Sequence, residues 1–137
     1  MKALTIFDIS ARAMSAQQVR INAVASNLAN AQTITSSAET AYRAMRPVFE
    51  TEFPLRQAGS GVASVSAVDI EQSKVAPEKR YSPGHPLADP DGYIYASNVD
   101  VNEELVDMME ASRQYQNNIE VLATAKSLIL KTLSVGK

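Results

Sequence analysis

Apolar residues recur at two different periods along this chain, and the changes of period divide it into three. From about residue 3 to about residue 31, Phe7, Met14, Ile21 and Leu28 stand seven apart, with Ala11 and Ala25 four after two of them and Val24 three after Ile21. That spacing gathers the apolar side chains into one stripe on a helix. The stripe is rich in alanine (Ala11, Ala13, Ala16, Ala23, Ala25, Ala29), and Gln17 and Gln18 interrupt it midway. Small side chains let a partner helix approach closely but bury little area each. From about residue 100 onward, Val101, Met108, Tyr115, Leu122 and Ile129 form one seven-residue series, and Leu105, Ser112, Ile119, Lys126 and Leu133 a second, offset by four. Alternation of four and three is the spacing of a coiled-coil seam.

The start of the second helix is well signalled. Asp100 with Glu103 resembles a capping box, and Asn102, with Val101 and Val106 as a staple, is the rival cap. Acidic residues crowd the front (Asp100, Glu103, Glu104, Asp107, Glu110), while Lys126, Lys131 and Lys137 lie at the back, the order that complements the helix dipole. Gly136 is the expected stop.

Residues 32–99 have another character. All six prolines fall here, and every glycine except Gly136. "YRAMRPVFETEF" (Tyr42–Phe53) and "GVASVSAVDI" (Gly61–Ile70) predict short strands separated by Gln57-Ala58-Gly59-Ser60, and "SPGHPLADPDGY" (Ser82–Tyr93) predicts a turn-rich loop. The fold class is therefore mainly α with a small β-rich insertion. Residues 1–31 and 100–137 form one discontinuous domain of two long helices pairing as a coiled coil, and residues 32–99 are the insertion.

Neither helix reads as self-sufficient. Ordering the backbone of the first segment costs more than its few large apolar side chains return on burial. The second helix, with a matching seam, is the obvious partner. Yet both also carry apolar residues off the seam: Ile6, Ile9 and Val19 on one, Met109, Val121, Leu128 and Leu130 on the other. A lone hairpin of helices would leave these wet, so the pattern favours further subunits around the pair. The alternative is a monomeric binding module whose terminal helices fold back on themselves. Circular dichroism and sedimentation separate the two, because an assembling subunit gains helix on assembly.

Composition narrows the classes. The chain has 137 residues, 45% hydrophobic and 20% charged, enough for one folded domain with a modest core. A net charge of -2 offers no basic excess for phosphates, so nucleic-acid binding is not expected. There is no cysteine, hence no disulfide, zinc-thiolate site or thiol catalysis. Asp8 and Arg12 break any secretory signal near the start, and no apolar run is long enough for a membrane span.

Catalytic and cofactor chemistry is not signalled. His85 is the single histidine, and Asp89-Pro90-Asp91-Gly92 lacks the remaining ligands of a calcium loop, so a turn is the reading there. No phosphate loop, dinucleotide fingerprint or nucleophile elbow occurs. No cofactor, metal or enzymatic activity is expected.

The polar residues inside the helical stripes remain to be explained. Asn27 and Asn30 flank Leu28 in "ASNLANAQTIT", although asparagine is a poor helix-interior residue. Each can offer donor and acceptor across a contact, fixing register where an apolar seam alone would slide. They would tie the end of the first helix to a neighbour or to the turn into the insertion; alternatively, Asn30 caps the helix C-terminus. Likewise "ASRQYQNN" (Ala111–Asn118) is either a solvated face or a polar contact row.

These words, in this layout, resemble the rod/hook/filament axial family of the bacterial flagellum. Asn27, Leu28, Ala29 and Asn30 match the family's N-terminal rod motif; "GHPLADPDGY" followed by "NVDVNEELVDMMEASRQYQNNIEVLATAK" is a more specific likeness. The likeness covers nearly the whole chain. Ala41 before Tyr42 departs from a proline common in relatives. The resemblance implies a structural subunit of the proximal rod, which transmits motor torque to the distal rod and hook. It implies export through the flagellar type III apparatus without signal cleavage, and helical assembly around a central channel with the terminal helices as the inner tube. The implied place is the basal body, in the rod that spans the periplasm. Implied partners are copies of itself, sister proximal- and distal-rod subunits and an adaptor on the motor-ring and export-gate side; another axial subunit of the same family is the near alternative. The expected subunit-contact residues are then Phe7, Met14, Ile21, Asn27, Leu28 and Asn30 on the first helix. On the second they are Val101, Leu105, Met108, Ser112, Tyr115, Ile119, Leu122, Ile129 and Leu133.

Overall fold

Two long helices at the chain ends enclose two small antiparallel sheets in this computed structural model, which describes residues 5–52 and 63–135. Helix α1 runs Ile6–Asn30 and helix α2 runs Val101–Val135. Between them come strands β1 (Ile34–Thr35), β2 (Met45–Glu52), β3 (Ser64–Gln72), β4 (Glu78–Tyr81) and β5 (Tyr93–Ala96). The mainly α class with a β-rich insertion is observed. The expected linker Gln57–Ser60, the stop at Gly136, the first strand end at Phe53, the beginning of the next at Gly61, and Lys137 lie outside the described residues.

Each helix start is fixed by a side chain. Thr5 caps α1 with a reciprocal box that the sequence reading missed: Asp8 N–H donates to Thr5 Oγ1 (3.2 Å) and Thr5 N–H donates to Asp8 Oδ2 (3.0 Å). Asp100 caps α2, its Oδ1 accepting from the amides of Asn102 (2.8 Å) and Glu103 (3.3 Å). Asn102, the rival candidate, lies inside the helix, and the Glu103 carboxylate is engaged by Arg46 at 3.2 Å.

The insertion holds more strand than was expected. β2 and β3 are the two anticipated strands, paired antiparallel with a bulge between Val48 and Phe49. β1, β5 and β4 form a second sheet in that order, and the turn-rich loop joins β4 to β5 as a hairpin connection. Asp89 shapes that loop: its Oδ1 accepts from the amides of Asp91 (3.0 Å) and Tyr93 (2.8 Å). Gly92 adopts φ 82°, and a Cβ there would lie 3.0 Å from the Tyr81 ring. The sequence signal for these strands was weak because they are short and β4 is exposed along its length.

The core is small-residue rich: Ala16, Ala23, Val24, Ala41, Ala44, Ile94, Ala111 and Ala125 are its buried apolar members. α1 packs against both α2 and the β2–β3 hairpin. Being contacted on two sides, α1 buries more of its surface than α2, whose residues 126–134 are all exposed.

Candidate functional site

The α1–α2 contact is built from polar layers set among alanines. Asn27 Nδ2 donates to Glu104 Oε2 at 3.0 Å, Arg20 Nη2 donates to Asp107 Oδ1 at 3.0 Å, and Gln17 Nε2 donates to Gln114 Oε1 at 2.9 Å. Descending numbers on one helix meet ascending numbers on the other, so the pair is antiparallel. Arg20 also reaches Glu110 at 3.6 Å. Ala16, Ala23, Ala111 and Ala125 are the buried alanines described on these helices. The glutamines that interrupt the apolar stripe are thus represented in the contact by Gln17, which pairs with a residue of the "ASRQYQNN" segment.

The buried face of α2 differs from the expected seam by one residue. Glu104, Ala111 and Ala125 are buried, with Asn118 half-buried, and each stands one position before Leu105, Ser112, Lys126 and Ile119 respectively. The other series keeps its place only in its middle, where Met108, Tyr115 and Leu122 are half-buried, while its end members Val101 and Ile129 are exposed. The physical reason is size and charge: Ala111 and Ala125 allow close approach, and Glu104 finds a cation and an amide. The large apolar residues are therefore turned outward. Val101 is 40% exposed, Leu105 47%, Ile119 47%, Ile129 47% and Leu133 66%. Val106, Met109, Val121, Leu128 and Leu130 are exposed beside them. On α1, Phe7 is exposed, while Met14, Ile21 and Leu28 are half-buried.

Asn27 and Asn30 separate in role. Asn30 ends α1, donating from Nδ2 to the Ser26 carbonyl at 2.9 Å, while its own carbonyl accepts from Thr33 N–H and Oγ1. Asn30 thus sits at the helix C-terminus, as the alternative reading had it, with Ala31 as the C-cap. Asn27 is fully buried and ties the helix to the insertion. Its Oδ1 accepts from the Tyr42 hydroxyl (3.0 Å) and Met45 N–H (2.7 Å), and its Nδ2 donates to the Met45 carbonyl (2.9 Å) as well as to Glu104. Ala41, immediately before Tyr42, is buried.

A charge cluster surrounds this junction. Arg46 lies 3.2 Å from both Glu103 and Glu104 and 3.6 Å from Asp107. Glu104 is completely buried, so its carboxylate requires this cation and the Asn27 amide. Sequence reasoning assigned Glu104 only to the helix dipole and did not single out Arg46. The available signal was an arginine at the start of a predicted strand and an acidic run at a helix start, with nothing to bring them together.

His85 Nδ1 accepts from Leu87 N–H at 3.1 Å, and Asp89 serves the turn described above. Among the described residues no group of three or more histidine, cysteine, aspartate or glutamate side chains is arranged to hold a metal. No described helix is long and apolar enough to cross a membrane.

Residues 7–34 match the family described as flagella basal body rod protein, and residues 91–135 match the C-terminal family of the flagellar basal body rod FlgEFG proteins. The flagellar basal-body rod protein FlgC of Salmonella typhimurium is 49% identical over 138 residues, covering 100% of each chain. FlgC of Yersinia enterocolitica is 45% identical over 138 residues, and that of Escherichia coli O157:H7 is 44% identical over 137 residues, again with 100% of each chain covered.

Proposed function

The chain belongs to the family of flagellar basal-body rod protein FlgC, and from that premise we propose how its outward apolar faces serve a rod. It is a structural component of the flagellar basal-body rod. In our reading it takes a place in the proximal rod, self-assembles helically around a central export channel, and passes motor torque toward the distal rod and hook. Neighbours are other copies of itself, sister proximal- and distal-rod subunits and an adaptor on the side of the motor ring and export gate. Delivery is through the flagellar type III apparatus. The chain acts by packing, without catalysis.

One observation carries this reading. The apolar side chains of α2 Leu105, Ile119 and Ile129 are each 47% exposed and Leu133 is 66% exposed, on a helix whose fully buried residues, Glu104, Ala111 and Ala125, are small or polar. A monomer gains nothing from that arrangement, because the same helix turned slightly would bury leucine and isoleucine. In a wall of neighbouring helices those residues become the contact, and coiled-coil pairing is then completed between subunits as well as within one. Phe7, Met14, Ile21 and Leu28 contribute the complementary stripe of α1, together with Val101, Met108, Ser112, Tyr115 and Leu122. Asn27 and Asn30 shape the junction behind it.

The test is the paired change Ile119→Asp and Leu133→Asp. Both sites are exposed, so the monomer's circular dichroism and melting temperature stay near the parent's. Rod assembly and swimming are lost. Normal swimming with both changes in place would overturn the reading in favour of a self-contained helical module.

A further inference from the structure

At the entry to strand β2, Ala44 and Met45 have backbone groups that are met from three other parts of the chain. Ala44 N–H donates to Asn98 Oδ1 at 2.7 Å, and the Ala44 carbonyl accepts from Ser73 N–H at 2.8 Å. Met45 N–H donates to Asn27 Oδ1 at 2.7 Å, and the Met45 carbonyl accepts from Asn27 Nδ2 at 2.9 Å. A carboxamide presents one donor and one acceptor side by side, as a peptide does. Asn27 therefore stands beside Met45 where a residue of a further strand would stand. Asn98 is used at both ends as well, its Nδ2 donating to the Val75 carbonyl at 2.9 Å.

We propose that Asn98 and Asn27 form a two-sided clasp on Ala44–Met45 that fixes the angle at which the β2–β3 hairpin leaves the helix pair, with Asn98 as a positioning residue. Asn27 belongs to α1, and Asn98 lies two residues before the Asp100 cap of α2. The clasp thus holds one point of the hairpin from α1 and from the lead-in to α2. Asn27 grips with a donor and an acceptor on one residue, which fixes orientation as well as distance. The apolar packing at this point is Ala41 and Ala44, both buried but too small to key an angle by shape. Arg46 to Glu103, Glu104 and Asp107 and Arg12 to Ser64 (3.2 Å) add contacts through long side chains with several rotatable bonds, which constrain the hairpin backbone less directly than bonds made to the backbone itself. The clasp goes beyond the rod reading and does not depend on it, since it operates inside a single chain.

The chain has no cysteine, so spin labels can be placed cleanly by Thr51→Cys on the hairpin and Gln116→Cys on α2, both exposed positions. Double electron–electron resonance on the otherwise unaltered chain is expected to give one narrow distance distribution. Asn98→Ala should broaden it about twofold, with helix content unchanged, and raise amide exchange at Ala44 about tenfold. Asn98→Asp keeps the acceptor for Ala44 N–H and should restore both readouts toward the parent. Adding Asn27→Ala to Asn98→Ala should broaden the distribution further. An unchanged distribution in Asn98→Ala overturns the proposal, because packing alone would then set the angle. Broadening that Asn98→Asp fails to reverse overturns it too. Should the double variant not fold, the Asn98→Ala and Asn98→Asp pair decides by itself.

Discussion

Asn27 donates from Nδ2 to Glu104 Oε2 across 3.0 Å, and both side chains are completely buried. They are the largest fully buried side chains among the described residues, in a core otherwise made mostly of alanine. A buried amide and a buried carboxylate are tolerable only when satisfied, and here the partners come from α1, α2 and the entry to β2. The polar pair therefore demands all three segments together.

Replacing Asn27 by alanine removes its bonds to Tyr42, Met45 and Glu104 and leaves Met45 and Glu104 short of partners. Urea denaturation should show a loss of about 2–4 kcal/mol, more than an exposed asparagine would cost. Asn27→Asp should be at least as damaging, since it loses the donor and sets a second carboxylate beside Glu104.

Arg46→Met tests the cation of that cluster. Arg46 is 40% exposed while Glu104 is wholly buried, so water replaces part of what the guanidinium supplies. The expected loss is about 1–3 kcal/mol, below that of breaking a fully buried pair. Glu104→Gln in the same background should recover part of it by removing the stranded charge, and a double-mutant cycle measures the coupling.

Ala111 is fully buried on the face of α2 that carries Glu104. Ala111→Leu should destabilise the monomer by about 1–3 kcal/mol through overpacking, read as a lower melting temperature. A neutral result would mean that the helices can separate at this level without loss.

Past Ala125 every described side chain of α2 is exposed, including Leu128, Leu130 and Leu133. Amides in this stretch should exchange fast in the free protein, and those near Ala111 slowly. Incorporation into a rod should slow the former by at least about tenfold, and that difference locates the gain of helix order on assembly.

Glu39 titrates below the ordinary glutamate value, held down by its own backbone N–H and then by the Ser37 hydroxyl. A carboxyl lowered by folding stabilises the fold above its unfolded pKa, and that contribution fades as the pH falls through the folded one. Glu39 is exposed, so the effect on stability is slight. Nuclear magnetic resonance titration should show Ser37→Ala moving the Glu39 pKa upward.

Periodicity made the two helices legible to within a few residues, and the strands β2 and β3 as well. It misplaced one of the two rows of α2 by a residue, because a seven-residue rule looks for regular spacing of large apolar side chains, whereas the fold buries Glu104, Ala111 and Ala125 in preference to the residues that follow them. Asn27 stood out as an oddity, and its tie to the insertion was among the readings. Its partners Tyr42, Met45 and Glu104 were not legible, since they lie 15, 18 and 77 residues away and share no local pattern. Asn98 gave no warning either: asparagine shortly before a helix reads as part of the lead-in to a cap.

The unequal length of the helices has a mechanical corollary. α1 has 25 residues and α2 has 35, about 37 Å against about 52 Å at 1.5 Å per residue. A beam that outruns its mate by about two-fifths carries about 15 Å of helix with no counterpart from α1. In the proposed rod, such overhangs would interleave like staggered brickwork, so that twist loads continuous helix instead of a single plane of mortar.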